Sequence, residues 1–302
     1  MKIRIFSTFI FLFTMAQFAT ATVADDRLRI YTVNYPLQYF AQRIAGEHAE
    51  VVFPAPPAID PAFWTPDVQT VGAYQDADLI LLNGANYAKW VNKVSLPRRR
   101  LVNTSAGFAE NYIDTGSGAE HSHGSGAAHA HAGVAFTTWL DLQQAVLQAD
   151  AIRQAIIKKR PQLKAEVDNN FARLEGDLLA LDAELESIVA ARQDQVLLAS
   201  HPVYQYLARR YGLSLYSVVW EPDEFPDPSQ WKALANLAQT HAVEWMLWEG
   251  TPATESIEQL KQMGIGSIVF DPCANAPAQG DFLSVMQNNL AALTRIKGVS
   301  VD

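Results

Sequence analysis

Between residues 163 and 188 the chain places Leu163, Val167, Phe171, Leu174, Leu178, Leu181, Leu185 and Ile188 at spacings of four and three, one apolar stripe on a long helix. Pro161 separates this helix from a preceding helical stretch, Leu142 to Lys159, because proline lacks the amide donor and its ring clashes with the turn before it. At ~1.5 Å per residue the second helix runs roughly 45 Å. A coiled-coil seam is one use of such a stripe. With strand and helix alternating on either side, a rigid strut packed along two α/β lobes is the better use.

That alternation is legible in both halves. Leu28 to Val33, Ala49 to Phe53 and Asp78 to Leu82 are β-rich runs, Pro36 opens an amphipathic stretch to Ile44, and a short helix around Tyr87 to Val94 follows Asn83-Gly84. Gln195 to Ser200, Leu213 to Val219, Glu244 to Trp248 and Ser267 to Phe270 repeat the pattern, with helices from Val203, Ser229, Glu255 and Asp281 onward. Strand-helix alternation favours parallel sheets. The fold expected is α/β: two lobes, each a mostly parallel sheet flanked by helices, joined by a long rigid connecting helix, with a ligand cleft between them. The expected divisions are a leader over 1–21, an N-terminal lobe over 22–137 that includes a His-rich loop at 116–134, connecting helices over 138–193 and a C-terminal lobe over 194–302. A helical strut resists large hinge closure, so capture should involve small motions.

The leader reads as an export signal. Lys2 and Arg4 precede an apolar run from Ile5 to about Phe18, and Ala19-Thr20-Ala21 is a small-x-small cleavage site. The run is short and broken by Ser7, Thr8, Thr14 and Gln17, which argues against a membrane span. The only cysteine, Cys273, lies far from the leader, so a free, soluble periplasmic protein without a lipid anchor is expected. One cysteine also excludes a disulfide framework and a thiolate-rich zinc site. Losing Lys2 and Arg4 with the leader takes the formal charge from -9 to -11, which disfavours nucleic acid and suits a cation.

Four of the seven histidines, His121, His123, His129 and His131, fall within one loop of Glu, Ser, Gly and Ala. Imidazole is neutral near pH 7 and borderline-soft, so such a cluster handles Zn²⁺, Cu²⁺ or Ni²⁺.

Further residues carry a resemblance. Val33-Asn34-Tyr35-Pro36-Leu37-Gln38-Tyr39-Phe40, Asp60-Pro61 before Pro66, Ala77-Asp78-Leu79-Ile80 with Asn83-Gly84-Ala85 and Trp90, Trp139-Leu140-Asp141, Ser200-His201-Pro202-Val203-Tyr204, Tyr211-Gly212-Leu213, Glu249 and Asp271-Pro272 occur in order. The chain resembles the ZnuA-like zinc and manganese solute-binding proteins of metal-importing ABC transporters over essentially its mature length. The resemblance implies one metal ion between the lobes, held by three histidines and a carboxylate at strand ends. His201 matches the third histidine and Asp271 the carboxylate. Two positions depart: Ala62 stands after Asp60-Pro61 where the family has histidine, and Thr137 stands two residues before Trp139-Leu140-Asp141. Alanine cannot ligate, and a neutral hydroxyl is a poor zinc ligand.

Two ligands alone make a weak zinc site. His131 lies six residues before Thr137, and an extended chain reaches about 3.5 Å per residue, so the loop can reach the cleft. One or two of the loop histidines could therefore complete a site with His201 and Asp271. Alternatively the loop only collects metal, since ordering it costs conformational entropy. A third reading has Phe63 and Trp64 lining a pocket for an organic solute.

Other residues read more plainly. Glu249 is taken as a hydrogen-bond anchor, Asp60 as a neighbour's support or an oxygen ligand, and the acidic segment Trp220 to Asp227 as a rim loop open to a permease contact. His48 and His241 look like surface residues, and Cys273 like a buried thiol. No helical His-Glu-x-x-His motif is visible, so no enzyme is expected. The function expected is capture of Zn²⁺, or of Mn²⁺ or another divalent metal, by a monomer that delivers it to an ABC permease. A zinc buffer acting through the loop and a binder of non-metal cargo are the alternatives.

Overall fold

The computed structural model describes residues 27–57, 59–116, 120–121, 129–130, 133–192 and 195–296. The first lobe opens with strand β1 (Leu28–Thr32) and helix α1 (Tyr35–Ala45). Asn34 caps α1 by accepting the Leu37 amide, Pro36 fits the first turn, and the buried face runs from Leu37 through Phe40 to Ile44. Strand β2 (Ala49–Val52), helix α2 (Val68–Asp76), strand β3 (Leu79–Leu82) and strand β4 (Leu101–Asn103) complete a sheet in the order β2-β1-β3-β4, every pair parallel. Strand β4 is unanticipated from sequence, because three residues are too few to show a period. The helix expected around Tyr87 is instead a 3₁₀ turn at Lys89–Lys93. Ala85 and Asn86 before it sit at φ 47° and 54°, a left-handed corner that no α-helix can begin in.

Two short hairpins follow: β5 (Asp114–Gly116) with β8 (Gly133–Val134), and between them β6 (Glu120–His121) with β7 (His129–Ala130). The β6–β7 register sets His121 opposite His129.

Helix α3 (Leu142–Lys159), capped by Asp141, leads into α4 (Lys164–Ala190), whose 27 residues make about 40 Å at the helical rise. Val167, Leu174, Leu178, Leu181, Leu185 and Val189 are its buried stripe. The expected strut is present: α4 packs along α3 and on α1, and it also meets α5 (Gln205–Tyr211) and α8 (Phe282–Leu293). Asp182, buried on α4, accepts from Arg210 at 2.6 Å and from the Tyr211 hydroxyl at 2.8 Å, fastening strut to second lobe.

That lobe also holds strands β9 (Val196–Ala199), β10 (Ser214–Ser217), β11 (Trp245–Trp248) and β12 (Gly266–Val269), with α6 (Pro228–His241) and α7 (Thr254–Gln262) between them. The sheet order is β10-β9-β11-β12, again all parallel. The lobes are stitched across the cleft by Trp139 Nε1 donating to the Pro272 carbonyl at 2.7 Å, the Tyr35 amide to Ala274 at 3.0 Å and the Tyr206 hydroxyl to Ala135 at 2.9 Å. Among the described residues no helix is long and apolar enough to cross a membrane.

Candidate metal centre

Open parallel sheets bind ligands outside the carboxyl ends of their strands. In the second lobe, all four strand ends lead to an acidic residue or a histidine. His201 follows β9, Glu221 follows β10, Glu249 follows β11 directly and Asp271 follows β12.

The backbone there is locked. Ser200 donates its amide to Leu247 at 2.8 Å and accepts the Trp220 amide at 2.8 Å, while Phe270 donates to Trp248 at 2.8 Å, so the ladder continues past the strands. Trp220 is buried against Trp231 and Trp248, with ring centroids at 4.7 and 6.1 Å, and this indole wedge fixes the loop bearing Glu221. The Ser200 hydroxyl accepts the Glu249 amide at 3.3 Å.

His201 is 4 % exposed and has a carboxylate on each ring nitrogen. Its Nδ1 lies 3.1 Å from Glu249 Oε1 and 3.3 Å from the Trp220 carbonyl, and its Nε2 lies 3.5 Å from Glu221 Oε1. One donor atom from each of His201, Glu221 and Glu249 falls within 4.8 Å of the others, a spread that one ion can bridge. Such a set mixes borderline imidazole with hard oxygen and suits a divalent metal. A histidine that ligates through one nitrogen is ordinarily oriented through the other. The closer Glu249 contact suits the orienting role, with Nε2 and Glu221 the pair that would face an ion.

Burial, then the charges of Asp60, Glu221 and Asp271, push the Glu249 carboxyl up to about 8. Asp271 is also raised by burial, against the Cys273 amide that donates to its Oδ1 at 2.7 Å. Carboxylates forced together in a dry site take up either protons or a cation. Cys273 is 1 % exposed and its thiol is pushed up by burial and by Asp271, which makes it a poor ligand.

The first lobe contributes different chemistry. Ala62 and Thr137 are 2 % and 3 % exposed, and the Thr137 hydroxyl donates to the Val203 carbonyl, so neither position is open. Phe63 packs edge-on to Phe136 at 6.4 Å and Trp64 to Trp90 at 6.4 Å, which commits both aromatics to packing within the lobe. Asp60 heads a tight turn, accepting the Ala62 amide on Oδ1 at 2.8 Å.

Of the residues singled out from sequence, the structure places His201 and Asp271 beyond the carboxyl ends of two strands of one sheet, β9 and β12, and the backbones of His121 and His129 in the β6–β7 hairpin. His123 and His131 lie outside the described residues. Glu221 is the residue that sequence reasoning passed over, since it sat in an acidic rim segment. The signal that finds it is positional: it is the first charged residue after β10.

Residues 30–296 match the family described as ZnuA, zinc-uptake complex component A, periplasmic. The chain is similar to the high-affinity zinc uptake system protein ZnuA of Bacillus subtilis, 25% identical over 91% of this chain and 89% of that one. It is similar also to the zinc-binding lipoprotein AdcA of Streptococcus pneumoniae, 24% identical over 89% of this chain and 56% of the relative. This chain thus spans about half the length of the AdcA relatives it matches. The fold superposes on the metal-dependent lipoprotein YcdH of Bacillus subtilis, TM-score 0.77 and 21% identity, covering 89% of this chain and 98% of that one. The Zn(II)-bound ZnuA-like domain of Streptococcus pneumoniae AdcA gives 0.75 and 21%, again covering 89% and 98%.

Proposed function

Because the chain belongs to the ZnuA family of periplasmic zinc-uptake components, we propose that it captures Zn²⁺ in the periplasm and delivers it, as a monomer, to the permease of a metal-importing ABC transporter. The supporting observation is the convergence of His201, Glu221 and Glu249 within 4.8 Å in a buried cleft beside Asp271. The chemistry is reversible coordination, with a neutral imidazole and ionised carboxylates taking the ion and protons displacing it. His201 and Asp271 are the proposed family ligands, Glu221 an added oxygen donor and Glu249 the residue that orients His201.

The loop histidines His121, His123, His129 and His131 are proposed as a collector that raises local metal concentration. This use is favoured over repair of the cleft because Ala62 and Thr137 are buried and closed, and because Glu221 already supplies a donor that the family pattern lacks. Chelator-competition titration of zinc on the intact chain and on a chain lacking residues 120–131 tests both readings. One tight equivalent retained without the loop supports delivery from the cleft. Tight binding that disappears with the loop makes the loop the site, and no tight zinc in either form removes the metal-capture reading.

A further inference from the structure

Strand β12 is an edge of the second sheet, and among the described residues its ladder partner is β11 alone. Gly266 donates its amide to the Glu244 carbonyl at 2.7 Å and Phe270 to Trp248 at 2.8 Å, so alternate residues from Gly266 onward face β11. Backbone groups alternate in direction along a strand, which turns those of Ser267, Val269 and Asp271 outward. Asp271 is satisfied there by a substitute. Its amide donates to Asn289 Oδ1 at 2.9 Å and its carbonyl accepts the Asn289 side-chain amide at 2.7 Å, one buried amide standing in for a neighbouring strand. The outward main-chain groups of Ser267 and Val269 have no such partner among the described residues. Exposed edges are ordinarily blunted by charge, proline or a bulge, and the sequence Gly266-Ser267-Ile268-Val269 carries neither charge nor proline.

This open edge is the floor of a cavity. Leu260 of α7 shares a core cluster with Met246 and Trp248, whereas Val285 and Leu290 of α8 share another with Leu247 and Ile268. Neighbours along β11 point to opposite faces, so the two helices cover opposite faces of the sheet and leave the β12 edge recessed between them. The cavity, about 790 Å³, is lined by all four residues of β12, by Ile257 of α7 and by Val285 and Ala292 of α8. Lys261 and Arg295 line it too; both are exposed, and neither has an ion-pair partner among the described residues. Lys261 is in the last turn of α7 and Arg295 follows α8, so the two cations stand on opposite walls near the amino end of β12. On a chain of formal charge -9, two unpaired cations at one apolar cavity are complementary to a carboxylate.

We propose that the β12 edge is a docking site for an extended segment of a partner protein, which adds as an antiparallel fifth strand. Its main chain pairs with Ser267 and Val269, its apolar side chains enter the cavity, and its terminal carboxylate lies between Lys261 and Arg295. Two other occupants fit less well. A strand supplied by this chain after α8 would need a left-handed crossover, because α8 lies on the face opposite α7, and such connections are rare. A second copy's β12 is itself recessed between helices, so two such edges do not meet at ladder spacing.

The test titrates the full chain with an acetylated Thr-Val-Thr-Val-Thr-Val peptide carrying a free carboxyl end. Saturable binding is expected, with hydrogen exchange slowed at the Ser267 and Val269 amides. The same peptide N-methylated at alternate residues cannot pair and should not bind. An amide-ended peptide should bind about fivefold more weakly, as should the acid peptide to a chain carrying Lys261→Gln and Arg295→Gln. Val269→Pro removes an outward amide without touching the β11 ladder and should weaken the peptide about fivefold, with zinc affinity within about twofold of the parent. Should that variant not fold, the N-methylated probe decides on the parent chain. No saturable binding, or equal binding of the N-methylated peptide, overturns the proposal, and equal binding of the amide-ended peptide overturns the carboxylate seat. Binding that appears only after removal of residues 297–302 makes the chain's own end the occupant, and a dimer that the peptide disperses makes it a second copy. Either result overturns the assignment to a partner protein.

Discussion

The first sheet is ordered β2-β1-β3-β4 and the second β10-β9-β11-β12, the same winding used twice, yet their carboxyl ends carry opposite chemistry. In the first lobe the strand ends hold neutral groups that satisfy one another. Asn83 accepts from the amides of Asn34 at 3.3 Å and Gln148 at 3.1 Å, and Gln148 also donates to the Thr104 hydroxyl at 3.0 Å. Every amide there has a partner of matching type, so the network is closed and rigid. In the second lobe Glu221 and Glu249 share one histidine, and their charges and that of Asp271 crowd one another in the absence of a cation or protons. Topology therefore made two frames, and the residues at four strand ends make one of them the proposed receiver.

The largest expected effect comes from the receiver's centre. His201→Ala should weaken tight zinc binding by about 100-fold or more, the upper end of what even outer-shell changes cost, and should abolish the rise in melting temperature that zinc produces in the parent. Retained affinity would make the two lobes equivalent and break the comparison. Next, Glu221→Gln, which keeps shape and removes charge, should weaken zinc about 10-fold, measured by the same competition titration. An unchanged value would return Glu221 to the rim.

The pH dependence follows from Glu249. Its carboxyl sits at about 8 in the metal-free fold against an ordinary 4.5, so between those values the folded chain binds more protons than the unfolded one. The stability that this carboxyl contributes to the metal-free fold is therefore fully present below about 4.5 and is lost as pH rises through 8, while zinc affinity increases over the same window as the competing proton leaves. Melting curves of the metal-free protein across that window should fall with pH, and Glu249→Gln should flatten the slope. A slope of opposite sign would show that the carboxylates are not crowded.

The smallest effect belongs to the first lobe. Thr137→Val removes the hydroxyl that donates to Val203 and should cost about 1 kcal/mol of stability, read from denaturant unfolding, with zinc affinity unchanged. A loss of zinc there would restore a ligand role to that position.

Much of the fold was legible because periodicity is local. The stripe from Val167 to Leu185 predicted the strut, and the predicted helix from Leu142 to Lys159 is α3 residue for residue. The site was legible in part. His201 and Asp271 stood out through the family resemblance, which Ser200-His201-Pro202 and Asp271-Pro272 help to carry. Glu221 did not, because it lies in a segment rich in acid and proline where any carboxylate looks solvated. Only the burial of Trp220 between Trp231 and Trp248 turns that carboxylate inward.

Sequence by itself determined the alternation of strands and helices, the long strut and the clustering of histidines in the loop. Those are properties of residue type and spacing along one chain. Tertiary structure decided which carboxylates meet His201, that the two vacated positions are sealed, and that Asn275 of the second lobe bonds the carbonyls of Pro56 and Ile59 in the first. Parallel strands far apart in sequence bring their ends to one edge of a sheet, and no local pattern encodes which of the residues beyond those ends will face one another.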